Sequence, residues 1–237
     1  MGIGCEFSSL MDSLGYSFID NTYLQTALTH TSYTNEMRSR GFRAESNESL
    51  EFLGDAVLEI VISELLFDRH RKHGEGALTR YRQNLVCERT LYEIALKLDL
   101  GKYLNIGTGE EALGLRARPK VLADALEAVI AAVYIDDREN AHGARYYGVI
   151  VNLFNDMIDR VVKNSSTDYK TRLQQFIEKN GDSILSYTYE ETGPDHNKCF
   201  TATAYVNNNK VGVGSGATKR AAEMEAARAA LLLFGII

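Results

Sequence analysis

The sequence predicts two domains of different class: an all-α domain over residues 1–163 and a small α+β domain over residues 168–237, joined by a short polar segment at 164–167. Three observations predict it. Apolar residues recur three and four apart through nearly all of the first 160 residues. The chain then passes through "KNSSTDYK", which is polar, small and without apolar periodicity. Beyond it, alternating stretches lie between two helical ones.

In the first domain, Leu24 to Leu28 begins a helix and Glu48–His70 forms a long one. Helical spacing follows over Leu78–Leu85, Glu88–Leu98, Val121–Ile135 and Tyr146–Val162. Pro119 stands near the start of the Val121 helix, where its missing N–H costs nothing. In the second domain, Lys170–Lys179 is helical, with Leu173, Phe176 and Ile177 as its inner side. "LSYTYEE" and "CFTATAYVNN" alternate as strands do, Phe200, Ala202, Ala204 and Val206 sharing one face. Asn207–Asn209 is a turn, "KVGVGSG" a third strand, and Thr218 the cap of a final helix with Ala222, Ala226, Ala229 and Leu233 facing inward. The order is α-β-β-β-α, an antiparallel sheet with helices on one face.

Composition sets limits on function. The 237 residues are 45% hydrophobic and 24% charged, an ordinary globular balance. The N-terminus shows no basic region followed by an apolar run, and Glu6 occupies the place where a myristoylation motif has Ser or Thr. The longest apolar runs fall far below the roughly 18 residues needed to span a bilayer, so no membrane role is expected. Cys5, Cys87 and Cys199 are scattered and form no C-x-x-C pair, which argues against a disulfide framework or zinc site and for a reducing, cytoplasmic setting. The net charge of −6 is uneven. From Asp168 onward eight Lys/Arg balance eight Asp/Glu, leaving 18 basic and 24 acidic residues before it. An acidic first domain can hold metal cations, and a neutral second one with local basic clusters can still touch phosphates.

The stretch "NESLEFLGDAVLEI" (Asn47–Ile60) carries the first chemical signal. At about 100° per residue, Glu48, Glu51, Asp55 and Glu59 fall within roughly 80° of one another, while Leu50, Leu53, Val57, Leu58 and Val61 point elsewhere. A solvated face would explain that stripe alone. The second signal is stronger. "PKVLADALEAVIAAVYI" is the most apolar helix in the chain, yet Asp124 and Glu127 interrupt it three residues apart on one face. Buried carboxylates need a cation, a base partner or a metal. Glu51/Asp55 and Asp124/Glu127 form two acid pairs, a hard-oxygen set of the kind Mg²⁺ or Mn²⁺ prefers. Gly54 costs about 1 kcal/mol relative to Ala within a helix, and makes sense if another helix must pass close beside the acids.

These residues carry a resemblance. "NESLEFLGDAVLEI" closely matches the signature of the ribonuclease III family, with its E-x-x-E-F-L-G-D core. "LADALEAVIAAVYID" is similar to that family's second acidic helix, and the region from Asp168 resembles a double-stranded RNA-binding domain. Together they cover nearly the whole chain in the family's order. The resemblance implies a helical endonuclease domain followed by a double-stranded RNA-binding domain. It implies metal ligands at Glu51, Asp55, Asp124 and Glu127, with Asp55 and Glu127 catalytic, and further acids near the RNA at Glu48 and Glu75. Phe52 matches an aromatic residue that plugs into the partner subunit of a homodimer. Glu59 matches no catalytic position and reads as a solvent-face acid. His30, in "LTHTSY", reads as a hydrogen-bonded residue at a helix end.

The implied activity is Mg²⁺-dependent hydrolysis of both strands of an RNA duplex, Mn²⁺ being a substitute ion. The products would carry 5′-phosphates and 3′-hydroxyls with a short 3′ overhang. Processing of rRNA precursors and other structured transcripts follows from the same resemblance. Divalent ions between acid pairs activate water and neutralise phosphate charge, so no Ser–His–Asp arrangement is needed. Duplex RNA is read by shape, through 2′-hydroxyls and phosphates. Thr171, Gln174 and Gln175 lie on one side of the first helix of the second domain. His196, in "GPDHNK", matches a minor-groove residue of the family, and Lys219 and Arg220 begin the last helix. Gln175 stands where relatives often have Glu, and Arg220 where they have Lys. A non-cleaving RNA-binding regulator is the alternative, and it would be expected to have lost one of the four acids. A di-iron helical protein would need Glu-x-x-His on two helices, whereas only Glu139/His142 has that spacing, away from either acid pair.

Overall fold

The structure, a computed structural model, describes residues 7–140, 145–166, 169–181, 183–193 and 198–237. The chain forms two compact units that divide between Val161 and Val162. The first contains α1 (Ser8–Leu14), α2 (Asn21–Ala27), α3 (Thr31–Ser39), α4 (Glu48–His70), α5 (Glu75–Leu85), α6 (Glu88–Lys97), α7 (Thr108–Ala112), α8 (Pro119–Glu139) and most of α9 (Arg145–Ser166). The second contains α10 (Tyr169–Lys179), β1 (Leu185–Thr192), β2 (Cys199–Val206), β3 (Asn209–Gly216) and α11 (Lys219–Leu233). Among the described residues no helix is long and apolar enough to cross a membrane, and Cys87 and Cys199 are free.

The core of the first unit is built on α8. Its apolar residues run nearly all round, so it is buried on most sides and packs along α4 and against α2 and α6. α4 turns Leu50, Val57, Leu58, Val61, Ile62, Leu65 and Leu66 inward and leaves Glu48, Asp55 and Glu59 outward. At the far end of α8 the buried Asp136 is satisfied by the N-terminal segment. It accepts from the Tyr16 hydroxyl (2.8 Å) and from the Ile19 and Asp20 N–H groups (3.1 and 2.8 Å). The short helices α1, α3 and α7 carry too little periodicity to be read from sequence. A contact between residues distant in sequence holds α3 and α7 instead: Glu36 on α3 accepts from the N–H and hydroxyl of Thr108 at the start of α7. The polar joint expected at 164–167 begins as helix, since α9 continues to Ser166. Asn and Ser lower helix propensity by only tenths of a kcal/mol, about 0.5 each, too little to end a 22-residue helix. Residues 167 and 168 lie outside the described residues.

In the second unit, β1 pairs antiparallel with β2, and β2 with β3. Tyr187 lies opposite Ala204 and Tyr189 opposite Ala202, and these alanines lie opposite Gly212 and Gly214 of β3. Ala202 and Ala204 are buried against Ala222 and Ala226 of α11. The helix lies so close to β3 that a Cβ at Gly212 or Gly214 would stand 2.2 Å from the backbone of Ala226. The β2–β3 turn uses Asn207 and Asn208, both left-handed (φ 49° and 67°), as a tight two-residue hairpin requires. Thr218 caps α11 by accepting from the Ala221 N–H at 3.1 Å. Two inward positions differ from expectation, Ala229 being only half-buried and Leu233 exposed. Leu233 is 67% exposed, and the buried face runs through Ala222, Ala226, Ala227, Ala230 and Leu231. Steps of four, with a pair per turn, track the sheet better than the 222–226–229–233 stripe.

Candidate metal centre and duplex-binding face

The two acid pairs sit where α4 and α8 cross, and Gly54 sets the separation of these helices. A Cβ at Gly54 would stand 1.9 Å from the carbonyl oxygen of Glu127 and 2.5 Å from its carbonyl carbon. The backbone of one acid-bearing residue thus rests on the only side-chain-free position of the opposite helix turn, beside Glu51 and Asp55. Ligand atoms of Glu51, Asp124 and Glu127 all lie within 4.8 Å of one another, and all three residues are half-buried. Asp55, one turn beyond Glu51, is exposed and stands outside that trio.

Electrostatics report the crowding. Burial first, then the charges of Asp55, Asp124 and Glu51, push the Glu127 carboxyl up to about 8. Burial and the Asp124 charge also raise Glu51. Asp55 therefore belongs to the cluster electrically even though its oxygens stand outside the trio. Three carboxylates so placed repel one another unless a cation joins them, and their donor set is hard oxygen throughout. The residues fit a divalent ion such as Mg²⁺ or Mn²⁺. Lys120 contributes one positive charge from within the chain, its ammonium 3.0 Å from Asp124 one turn away on α8. Lys120 is not among the residues expected from the motifs, although its i, i+4 spacing to Asp124 marks it as a partner.

Of the remaining predicted acids, Glu48 lies on the first turn of α4 beside Glu51, and Glu75 lies against the C-terminal half of that helix. Glu48, exposed in the first turn of α4, accepts from the Ser46 hydroxyl at 2.8 Å. Glu75, the exposed first residue of α5, accepts from Thr79 and borders a groove of about 750 Å³ with Ile60, Phe67 and Leu78. Phe52 is 81% exposed. It shares an outward stripe of α4 with Ile60 and Phe67, also exposed. His30 caps α3, its Nδ1 accepting from the Ser32 N–H at 3.1 Å, as the structural reading of that residue expects.

In the second unit, Gln174 is exposed on α10 and bonds Glu178 at 3.0 Å, with Thr171 and Gln175 half-buried on the same side. Lys219 and Arg220 are exposed in the first turn of α11. His196 lies outside the described residues.

Residues 20–146 match the ribonuclease-III-like family and residues 169–233 the double-stranded RNA binding motif. The chain is similar to ribonuclease 3 of Caldanaerobacter subterraneus subsp. tengcongensis, with 42% identity over 96% of this chain and 98% of the relative. It is similar also to ribonuclease 3 of Natranaerobius thermophilus, with 42% identity over 96% of each. Among solved structures it resembles the nuclease domain of ribonuclease III from Campylobacter jejuni, described for flexibility in a region involved in dimer formation. That match has 35% identity and a TM-score of 0.55, covering 63% of this chain and 96% of the other.

Proposed function

Since the chain belongs to the ribonuclease III family of endonucleases and carries a double-stranded RNA-binding domain, we propose that it is a Mg²⁺-dependent homodimer that cuts both strands of duplex RNA. On this reading the products carry 5′-phosphates and 3′-hydroxyls with a short 3′ overhang. The substrates are rRNA precursors and other structured transcripts, in the cytoplasm. The observation that carries the proposal is the convergence of Glu51, Asp124 and Glu127 across the Gly54 contact.

Glu51, Asp55, Asp124 and Glu127 would hold the cation. When bound, it supplies water activation, charge neutralisation and orientation of the phosphodiester. The chain's own residues do the rest. The Gly54–Glu127 backbone contact fixes the spacing of the carboxylates before any ligand arrives. Half-burial of Glu127 strengthens its attraction to a cation. Lys120 neutralises part of Asp124 and offers an ammonium at the edge where a phosphate would approach. Glu48, beside this centre, and Glu75, against the C-terminal half of α4, would face the RNA. Thr171, Gln174, Gln175 and His196 present groups suited to 2′-hydroxyls and base edges, and Lys219 and Arg220 present cations suited to phosphates.

One acid cluster serves one strand, so cutting both requires two chains. The exposed stripe of Phe52, Ile60 and Phe67 on the helix that bears Glu51 and Asp55 supports an interface between two copies there. The groove bordered by Ile60, Phe67 and Leu78 offers a partner's aromatic ring an apolar floor. The test is to incubate the purified protein with a defined RNA duplex, with Mg²⁺ or with EDTA, and to map both product ends. Staggered double-strand cuts that need Mg²⁺ are expected. Intact duplex in Mg²⁺ would overturn the activity, and nicks confined to one strand would overturn the paired-site reading.

A further inference from the structure

We propose that Glu223 is a positioning residue for duplex binding: it ties the start of α10 and strand β1 to α11 one turn past its start, and so sets where Lys219 stands. The proposal rests on reading the second unit as the duplex-binding domain, and no motif singled out Glu223. Its side chain is only 12% exposed, unusual for a carboxylate one turn from two exposed cations. Both oxygens are used. Oε2 accepts from the Lys170 ammonium at 2.6 Å, and Oε1 from the Tyr189 hydroxyl. Burial alone would raise the carboxyl pKa, but the hydrogen bonds from Lys170 and Tyr189 outweigh it and hold the group below its ordinary value. The same bond pushes the Tyr189 hydroxyl up to about 12, so it stays a donor.

The consequence reaches the RNA-facing cation through the ring. With its hydroxyl anchored, the Tyr189 ring lies under the Lys219 ammonium, 5.5 Å from centroid to nitrogen. The Lys170 ammonium is likewise 5.3 Å from the centroid of Tyr187. A lysine at an exposed helix start otherwise samples many rotamers, and binding must freeze them. Seating it on a fixed ring removes part of that cost before the duplex arrives. Charge alone predicts the opposite effect, because a carboxylate beside a phosphate-binding face repels phosphate. Glu223 thus presents two readings whose signs differ on removal.

The experiment uses the full chain in EDTA, where cleavage is off, and measures affinity for a fixed RNA duplex by fluorescence anisotropy across a KCl series. Wild type, Glu223→Ala and Tyr189→Phe are compared. If Glu223 positions Lys219, both variants weaken binding by roughly three- to tenfold and lower the slope of log K against log salt by about one, the signature of one lost phosphate contact. Binding by Glu223→Ala at or above wild-type strength with an unchanged slope would overturn the proposal and leave Glu223 a spectator charge. Should Glu223→Ala lose the domain's cooperative melt, Tyr189→Phe decides, since it keeps the ring and removes only the anchoring hydroxyl. A wild-type slope in that variant would also overturn the proposal. Wild type that fails to hold duplex even at low salt would instead strike the ligand assignment, and the proposal with it.

Discussion

At the scale of the residue, Glu127 combines a structural cost with the requirement for a ligand. Its folded-state pKa lies near 8 against an ordinary 4.5. Between those values the unfolded chain has released the proton while the folded chain retains it, so the unfolded state binds fewer protons. The sign follows: this group's contribution is intact below about pH 4.5 and is lost as pH rises toward 8. In EDTA, Glu127→Gln should therefore melt higher than wild type at pH 8 and close to it at pH 4.5. Mg²⁺ should raise the wild-type midpoint more at pH 8 than at pH 6 and move the Gln variant little. Thermal melts in EDTA at pH 4.5, 6 and 8 and in Mg²⁺ at pH 6 and 8 check this; a Gln variant no more stable than wild type at pH 8 would contradict the crowding of these acids. The acids themselves were legible in the sequence, because two carboxylates spaced three apart in an otherwise apolar helix have few structural explanations. The pairing of Glu223 with Lys170 and Tyr189 was not legible. It joins three elements, and nothing in local spacing brings residues 170, 189 and 223 together.

At the scale of the element, the α4–α8 crossing is set by backbone touching backbone at Gly54 and Glu127. Gly54→Ala introduces a methyl where 1.9 Å separates its position from an oxygen, so the helices must part. Overpacking of this kind costs about 1–3 kcal/mol. The separation also carries the ligands with it, and a misplacement near 1 Å lowers rate by up to about a hundredfold. The expected result is a lower melting temperature together with a raised Mg²⁺ requirement for cleavage. Unchanged Mg²⁺ dependence in a folded Gly54→Ala protein would show that the crossing does not set the site. Long elements were readable because their periodicity exceeds the noise of single residues: α4 spans Glu48–His70 as expected, and Thr218 and the Asn207–Asn208 turn fall where local chemistry demands. Short ones such as α3 and α7 were not, because side chains from elsewhere, Glu36 on Thr108 among them, define them. The inward face of α11 was half-readable. A stripe of alanines marks it, but glycines on the facing strand decide which alanines fit.

At the scale of the whole molecule, the proposed interface on the outward stripe of α4 would make oligomeric state and chemistry properties of one helix. Phe52 is adjacent to Glu51 and projects into solvent in the single chain. Phe52→Ala removes a central aromatic from the proposed interface, where such anchors carry about 2–4 kcal/mol. Sedimentation over a dilution series should show the variant dissociating at higher concentration than wild type, with double-strand cutting lost in parallel. A variant as tightly dimeric as wild type would place the interface elsewhere. The Asp136 anchor has a consequence in time. Its donors at Tyr16, Ile19 and Asp20 precede it by 116 to 120 residues. During synthesis at roughly 5–20 residues per second, the N-terminal segment must wait on the order of ten seconds for its acceptor to be made. Through that interval Tyr16, buried in the finished protein, has no Asp136 to bond. A segment made early is thus among the last to find its place, and the nascent chain carries its donors until Asp136 is made.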